Sequence, residues 1–189
     1  TVNGISYQFS ISSLGLPMLF YALGSPFGNK SRMEFGIPKW LFDAPQWIKR
    51  LYLAGYFGAE MSKPATRKSE GYRFDTCKVS LNKIETLKSN GYSFLNEIRL
   101  LLGCFGIECG KIIEQTGIIT KRGDKTVKLI LPISSEEENI KKLWNKISYE
   151  YNKKRAILAS FALNYLNYKK SISVLESAIT SIPEKQLQV

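Results

Sequence analysis

The chain carries a glutamate and a lysine three positions apart, Glu60 and Lys63, at the end of an apolar stretch with helical spacing. A carboxylate can hold Mg²⁺ or another divalent cation, and an ammonium beside it can stabilise negative charge on a phosphate. The pair therefore suits phosphodiester hydrolysis. Because a helix that ends here leaves its last carbonyls unpaired, we expect the main-chain oxygen of Ala59 to assist Glu60 as a metal ligand. The alternative for this pair alone is an ion pair on the surface.

The stretch from Trp47 to Ala59 is apolar at nearly every turn, which predicts a buried helix, with Asp43 as its N-cap. Gly55, Gly58 and Ala59 are three and four residues apart and therefore share one face. Two glycines in a helix cost roughly 1 kcal/mol each relative to alanine, and a twin helix packed across this face would offset the cost. The alternative is an ordinary core helix with a small-residue contact.

The nine residues Leu53–Met61 read Leu-Ala-Gly-Tyr-Phe-Gly-Ala-Glu-Met and resemble the signature of the LAGLIDADG homing endonucleases. The matching positions are Leu53, Ala54, Gly55 and Ala59, and Glu60 stands where the second acid belongs. Gly58 replaces the first acid and Met61 the closing glycine. The resemblance implies that Glu60 holds the metal and that Lys63 reaches the active centre. The segment 35–41 is similar to the one that precedes the second motif in intein-borne endonucleases.

The chain downstream of this motif predicts the remaining elements of one domain. Alternation predicts a strand over 72–81, with a hairpin partner within 61–70. Helical spacing predicts a helix over 93–105, and two further runs predict a second hairpin of strands 111–120 and 125–133. A helix follows from position 135. This order resembles that of a LAGLIDADG-type αββαββα domain, which implies an α+β fold with a curved antiparallel sheet and helices on one face. The predicted organisation is an N-terminal extension at 1–44, this domain at 45–150, and a C-terminal helix and tail at 151–189.

The charge of the chain predicts a polyanionic partner. Its 27 lysines and arginines exceed its 16 acidic residues, which gives a net charge of +11 and an isoelectric point near 9.5. Two basic hairpins can present their faces to a major groove of double-stranded DNA, although a charge run can also be a plain solvated face. The candidate DNA contacts are Lys63, Arg67, Lys68, Arg73, Asp75, Lys78, Lys111, Gln115, Lys121, Arg122, Lys125 and Lys128.

The absence of histidine and the spacing of the cysteines narrow the function classes. The chain has no histidine, which excludes zinc deaminases, His-metal nucleases and triad hydrolases in their usual forms, and argues against self-splicing. The cysteines Cys77, Cys104 and Cys109 lack metal-site spacing and suggest reduced packing residues in a cytoplasmic protein. No apolar run approaches the roughly 20 residues that span a membrane.

Taken with the resemblance, these features predict a site-specific, Mg²⁺-dependent DNA endonuclease of the homing type. The competing hypotheses are a non-cleaving DNA- or RNA-binding protein on the same fold, such as a regulator or a maturase, and a structural module whose helix only resembles the motif. Only one acidic motif helix is present, whereas cutting two strands requires two. We therefore expect either a homodimer through Gly55, Gly58 and Ala59 or a second half-domain on another chain.

Overall fold

The computed structural model describes residues 12–67, 73–120 and 122–180. Within these ranges the chain is α+β, as expected, with six α-helices, one three-stranded antiparallel sheet and one two-stranded ladder. The elements in chain order are α1 (Gly15–Ala22), α2 (Trp40–Asp43), α3 (Gln46–Glu60), β1 (Thr66–Arg67), β2 (Arg73–Phe74), β3 (Lys78–Ile84), α4 (Lys88–Gly103), β4 (Ile113–Ile119), β5 (Lys125–Pro132), α5 (Glu137–Lys146) and α6 (Lys153–Thr180).

The three-stranded sheet has the order β3-β5-β4. Its central strand, β5, reads Lys-Thr-Val-Lys-Leu-Ile-Leu-Pro, a β-branched and aliphatic run of the kind that fits a half-buried strand. Side chains alternate between the two faces, and the inner face carries Val79 and Leu81 of β3 with Leu129 and Leu131 of β5, all buried. This inner face packs against helices α3 and α4. The opposite, outer face carries Lys78 and Asn82 of β3 and Lys128 of β5.

Helices α3 and α4 supply most of the remaining core. Leu53, Ala54 and Phe57 of α3 are completely buried, as are Leu95 and Ile98 of α4. Helix α3 is less uniformly buried than its sequence predicts, because Trp47 is 63% exposed. It begins after Pro45 without a side-chain cap, so the expected N-cap Asp43 belongs to the preceding short helix α2. The side chain of Gln46 instead donates a hydrogen bond to the carbonyl of Cys104.

The segment 31–37 lies against β3 and α4 and is held there by polar side chains. Asn90 accepts a hydrogen bond from the amide of Phe35 and donates one to its carbonyl. Glu97 accepts from the amide of Ile37 at 2.7 Å. Lys83, which is fully buried, donates to the carbonyl of Met33 at 2.6 Å and lies 4.0 Å from the ring centre of Phe35. Burial lowers the pKa of Lys83 from its ordinary value.

The C-terminal end of α3 is capped by side chains from the start of α6 and from the turn before it. Asn152 donates to the carbonyl of Gly58 at 2.8 Å, and Arg155 donates to the carbonyls of Phe57 and Gly58 at 3.0 and 3.1 Å. The carbonyl of Gly58, which the helix end leaves unpaired, is thereby satisfied, and the carbonyl of Phe57 accepts from Arg155 in addition to the amide of Met61. The guanidinium suits the negative end of the helix dipole. The last residues of α3 are therefore fixed in place.

The structure departs from the predicted element boundaries in three places. Helix α4 begins at Lys88, five residues before the predicted start at 93. The strand expected over 72–81 is two strands: β2, which pairs with β1 through two residues, and β3, which runs on to Ile84. The region from Ser171 onward, expected to be a loose tail, continues α6 as far as Thr180, and positions 181–189 lie outside the described residues. The α+β class is confirmed, but the specific LAGLIDADG arrangement is not.

Candidate nucleic-acid interface

Glu60 is the last residue of α3, and its side chain is exposed. Its ion-pair partner in the described part of the chain is Lys30, whose Nζ lies 3.9 Å from Glu60 Oε1. Lys63, the partner expected from spacing, is exposed in the loop that follows the helix. Because α3 is closed by Asn152 and Arg155, Glu60 projects from a rigid support. Lys30 belongs to a segment for which the sequence predicts no functional role.

The surroundings of Glu60 offer few metal ligands from this chain. Residues 12–67, 73–120 and 122–180 contain no group of three or more histidine, cysteine, aspartate or glutamate side chains that could hold a metal ion. Glu60 brings a single carboxylate, and the ammonium of Lys30 competes with a cation for it. Mg²⁺ normally takes one or two carboxylates together with waters and substrate oxygens. That Glu60 and the Ala59 carbonyl hold a metal ion therefore stays a prediction.

The outer face of the sheet gathers several of the predicted DNA contacts. Residues directly opposite one another in an antiparallel pair project to the same side. Lys128 of β5 is opposite Asn82 of β3 and opposite Gln115 of β4, so these three side chains form a polar row across the sheet. Lys78 lies on the same side of β3 and is exposed. The prediction that Lys78, Gln115 and Lys128 belong to one surface is consistent with this register.

The remaining predicted contacts lie around the sheet. Lys111, Arg122 and Lys125 are exposed before β4 and at the β4–β5 turn. Arg67 and Arg73 are opposite each other in the β1–β2 ladder, although their side chains are not described, and Lys68 and Lys121 lie outside the described residues. Asp75 is half-buried, and its amide donates to the carbonyl of Ala65 at 2.7 Å. Whether these residues contact DNA stays a prediction.

The small-residue face of α3 is partly occupied by the chain itself. A Cβ at Gly58 would lie 2.2 Å from the carbonyl oxygen of Glu150, so this glycine allows the turn before α6 to approach. Gly55 is more open, with the ring of Tyr151 4.0 Å away, and Ala59 is exposed. Trp47, Leu51 and Gly55, spaced four residues apart, form a helix stripe that is partly exposed. The close approach predicted at Gly58 is thus made within the chain, whereas Gly55 remains accessible to a partner.

A pocket beside Glu60 was not anticipated from the sequence. It has a volume of about 580 Å³ and lies between the segment 20–40, the end of α3 and the strand β3. Six aromatic rings line it, those of Phe20, Phe35, Trp40, Tyr52, Tyr56 and Phe94. Burial, with a smaller contribution from Glu97, raises the pKa of Tyr52 to about 12, and burial followed by Glu60 raises that of Tyr56 further. Both hydroxyls therefore stay neutral. The aromatic residues at positions 20–40 were the available signal.

Comparison with known proteins finds similarity to three kinds of protein from archaea. The chain is 33% identical over 169 residues to the DNA-directed RNA polymerase subunit Rpo1N of Methanocaldococcus jannaschii, an alignment that covers 89% of the chain and 12% of that protein. It is 36% identical over 162 residues to the tRNA-splicing ligase RtcB of the same organism, covering 86% of the chain and 16% of the ligase. It is 28% identical over 186 residues to that organism's replication factor C small subunit, covering 97% and 9%. The chain thus spans less than a fifth of each relative. No family model and no solved structure matches.

These names overturn the identification as a LAGLIDADG homing endonuclease and, with it, the predicted function of a site-specific DNA endonuclease. The relatives are named as a polymerase subunit and RNA-joining ligases, and no family model supports the nine-residue motif. Enzyme names do occur among the relatives, but none is a DNA hydrolase. The motif was misleading because it is short, and at Gly58 a packing role within the chain explains the glycine.

Among the described residues, no helix is long and apolar enough to cross a membrane.

Proposed function

We propose that this chain is a nucleic-acid-binding module that occurs as an intein-like insertion in proteins of otherwise different function. One observation carries the proposal: the same stretch of chain is similar to a polymerase subunit, a ligase and a replication factor, and in each it accounts for only 9 to 16% of the length. Proteins whose names describe different activities are not expected to share one catalytic segment of this size. An inserted module that travels between them accounts for the pattern.

The proposed partner of the module is double-stranded DNA, bound across the outer face of the sheet. The row Asn82–Lys128–Gln115 alternates amide groups, which can donate to and accept from base edges, with an ammonium that attracts phosphate. Lys78 extends the positive charge on the same side. A net charge of +11 favours association with any polyanion.

A second candidate is a part of an RNA ligase, since five of the matches are tRNA-splicing ligases. This candidate requires the chain to join RNA ends or to bind them as part of a ligase. The similarity to a polymerase subunit over 89% of the chain argues against it. The two candidates differ in what they bind and in whether RNA ends are sealed.

The test is binding of the full chain to a DNA duplex and to RNA, measured by fluorescence anisotropy over a range of salt concentrations. If six phosphates are contacted, the slope of log K against log salt is expected to be roughly −5 for the duplex, from about −0.9 per phosphate. Lys78→Gln combined with Lys128→Gln should reduce the slope by about 2 and weaken binding. The control Lys169→Gln changes an exposed lysine on α6 and should leave the affinity nearly unchanged.

Other outcomes would contradict the proposal. A slope near zero would exclude charge-driven binding of nucleic acid. An equal loss of affinity in Lys169→Gln would show that binding is not localised to the sheet. Sealing of RNA ends by the chain would favour the ligase candidate, and we expect none.

A further inference from the structure

The pocket beside Glu60 has the features of a preformed ligand site. Its volume of about 580 Å³ is within the range of small-molecule pockets, which are mostly apolar with a few polar groups that fix orientation. Its walls are aromatic: Phe94 meets Phe35 and Tyr56 edge to face, with ring centres 4.9 and 5.8 Å apart. Phe20 and Trp40, which also line the pocket, are 48% and 47% exposed. Exposed aromatic rings can stack with planar rings. The ligand expected from the walls is a flat, aromatic group.

The wall contributed by residues 23–40 is fixed in the free protein. The hydrogen bonds of Asn90 and Glu97 to the backbone hold Phe35 and Ile37. The indole of Trp40 donates to the carbonyl of Leu23 at 3.0 Å. A wall that is held in place does not have to be ordered when a ligand enters, which favours affinity.

The polar groups of this pocket are an acceptor and a donor placed side by side. Glu60 and Lys30 both line it. Their charged atoms are 3.9 Å apart, which is longer than a hydrogen bond, so each retains hydrogen-bonding capacity for a ligand. The carboxylate accepts through two oxygens, and the ammonium donates. Both side chains are about half exposed, 42% for Glu60 and 59% for Lys30, so a ligand can reach them.

We propose that this pocket binds a guanine base, with Glu60 accepting from the ring and exocyclic N–H groups and Lys30 donating to the adjacent carbonyl oxygen. Guanine presents two neighbouring donors and one acceptor on its Watson–Crick edge, the complement of a carboxylate beside an ammonium. Adenine presents a single donor on this edge and no carbonyl, so it makes fewer of these contacts. The aromatic walls hold the ring by stacking, as they do for unstacked bases in other proteins.

The pocket opens next to the outer face of the sheet. Ser80 and Asn82, which line it, lie on the same side of β3 as Lys78. A base in a single-stranded or distorted segment could therefore enter from a strand on that face, and a free guanine nucleotide could enter from solution. The assignment of the pocket does not require the function proposed above, because the free nucleotide alone would satisfy it.

The test is equilibrium dialysis of the full chain against GMP and AMP, which carry the same phosphate charge and differ only in the base. GMP is expected to bind about tenfold more tightly than AMP, the discrimination of one good bidentate contact. Glu60→Gln keeps the shape of the side chain and should reduce GMP binding about tenfold while leaving AMP binding unchanged. The matched control Glu136→Gln alters an exposed carboxylate at the start of α5 and should change neither.

Two pentanucleotides, TTGTT and TTATT, distinguish the source of the base. Preference for TTGTT supports a base within a strand, and preference for GMP over TTGTT supports a free nucleotide. Equal binding of GMP and AMP, no saturable binding of GMP, or retention of the preference in Glu60→Gln would each overturn the assignment. Because duplex binding is expected to depend on Lys78 and Lys128, it can persist when GMP fails to bind, so the two proposals fail separately.

Discussion

At the scale of single residues, two contacts with distant parts of the chain define the end of α3: Glu150 lies against Gly58, and Lys30 lies beside Glu60. The glycines of α3 were expected to admit a partner helix, because glycine inside a helix requires compensation. The compensation at Gly58 is the carbonyl of Glu150, which is 92 positions away in sequence and therefore invisible to local pattern. Glu60 was expected to pair with Lys63, three residues on. Its ion-pair partner is Lys30. The fold, and not the spacing along the sequence, determines which ammonium group lies beside the carboxylate.

The two glycines of α3 give a residue-scale prediction. Gly58→Ala places a Cβ 2.2 Å from the carbonyl oxygen of Glu150, so the turn before α6 must shift. We expect a loss of about 1 to 3 kcal/mol of stability, as for overpacked sites. Gly55→Ala, with its nearest neighbour at 4.0 Å, should gain up to about 1 kcal/mol from better helix propensity. Urea unfolding of both variants measures the difference, and equal effects would contradict the assigned packing.

At the scale of elements, hydrophobic periodicity predicts the regular helices and strands but not the position of irregular segments. Strand β5 and helix α4 follow from alternation and from helical spacing, because each buries one face against the same core. The segment 24–40 has no such period, so local sequence pattern does not predict where it lies. Its position depends on side-chain hydrogen bonds from Lys83, Asn90 and Glu97. The pocket wall that this segment contributes could therefore not be predicted from local sequence pattern.

The attachment of this segment can be tested through Asn90. Asn90→Ala removes both hydrogen bonds to the backbone of Phe35 and leaves partly buried groups unpaired, which should cost about 1 to 3 kcal/mol. Hydrogen exchange should quicken over residues 33–37 and little elsewhere. The control Asn96→Ala removes an exposed side chain on the same helix that contacts Arg99. Unchanged exchange in Asn90→Ala would show that apolar packing alone holds the segment.

At the scale of the whole molecule, composition predicts a polyanionic partner, which stays a prediction, and it does not identify the chain. A net charge of +11 and the row Asn82–Lys128–Gln115 on one face of the sheet support the prediction. The family assignment failed because a short apolar motif is compatible with ordinary core packing, as the turn against Gly58 demonstrates. The predicted α+β class is nevertheless confirmed, because it depends on the hydrophobic pattern over the whole chain. What the chain binds, and in how many copies, is decided at exposed surfaces.

The exposed stripe on α3 predicts a twofold homodimer. Trp47 is 63% exposed and Leu51 38%, Gly55 admits close approach, and Tyr151 beside it is 92% exposed. These residues form one apolar surface, which a second copy would cover by isologous contact. Leu51→Lys should place two like charges across such an axis and yield a monomer in sedimentation equilibrium, whereas the wild type should sediment near twice 21.4 kDa. Leu100→Lys, at a 64% exposed leucine on α4, serves as the control and should remain dimeric. If the wild type is a monomer both with and without DNA, the homodimer is excluded. A second half-domain on another chain then becomes the expected partner of this surface.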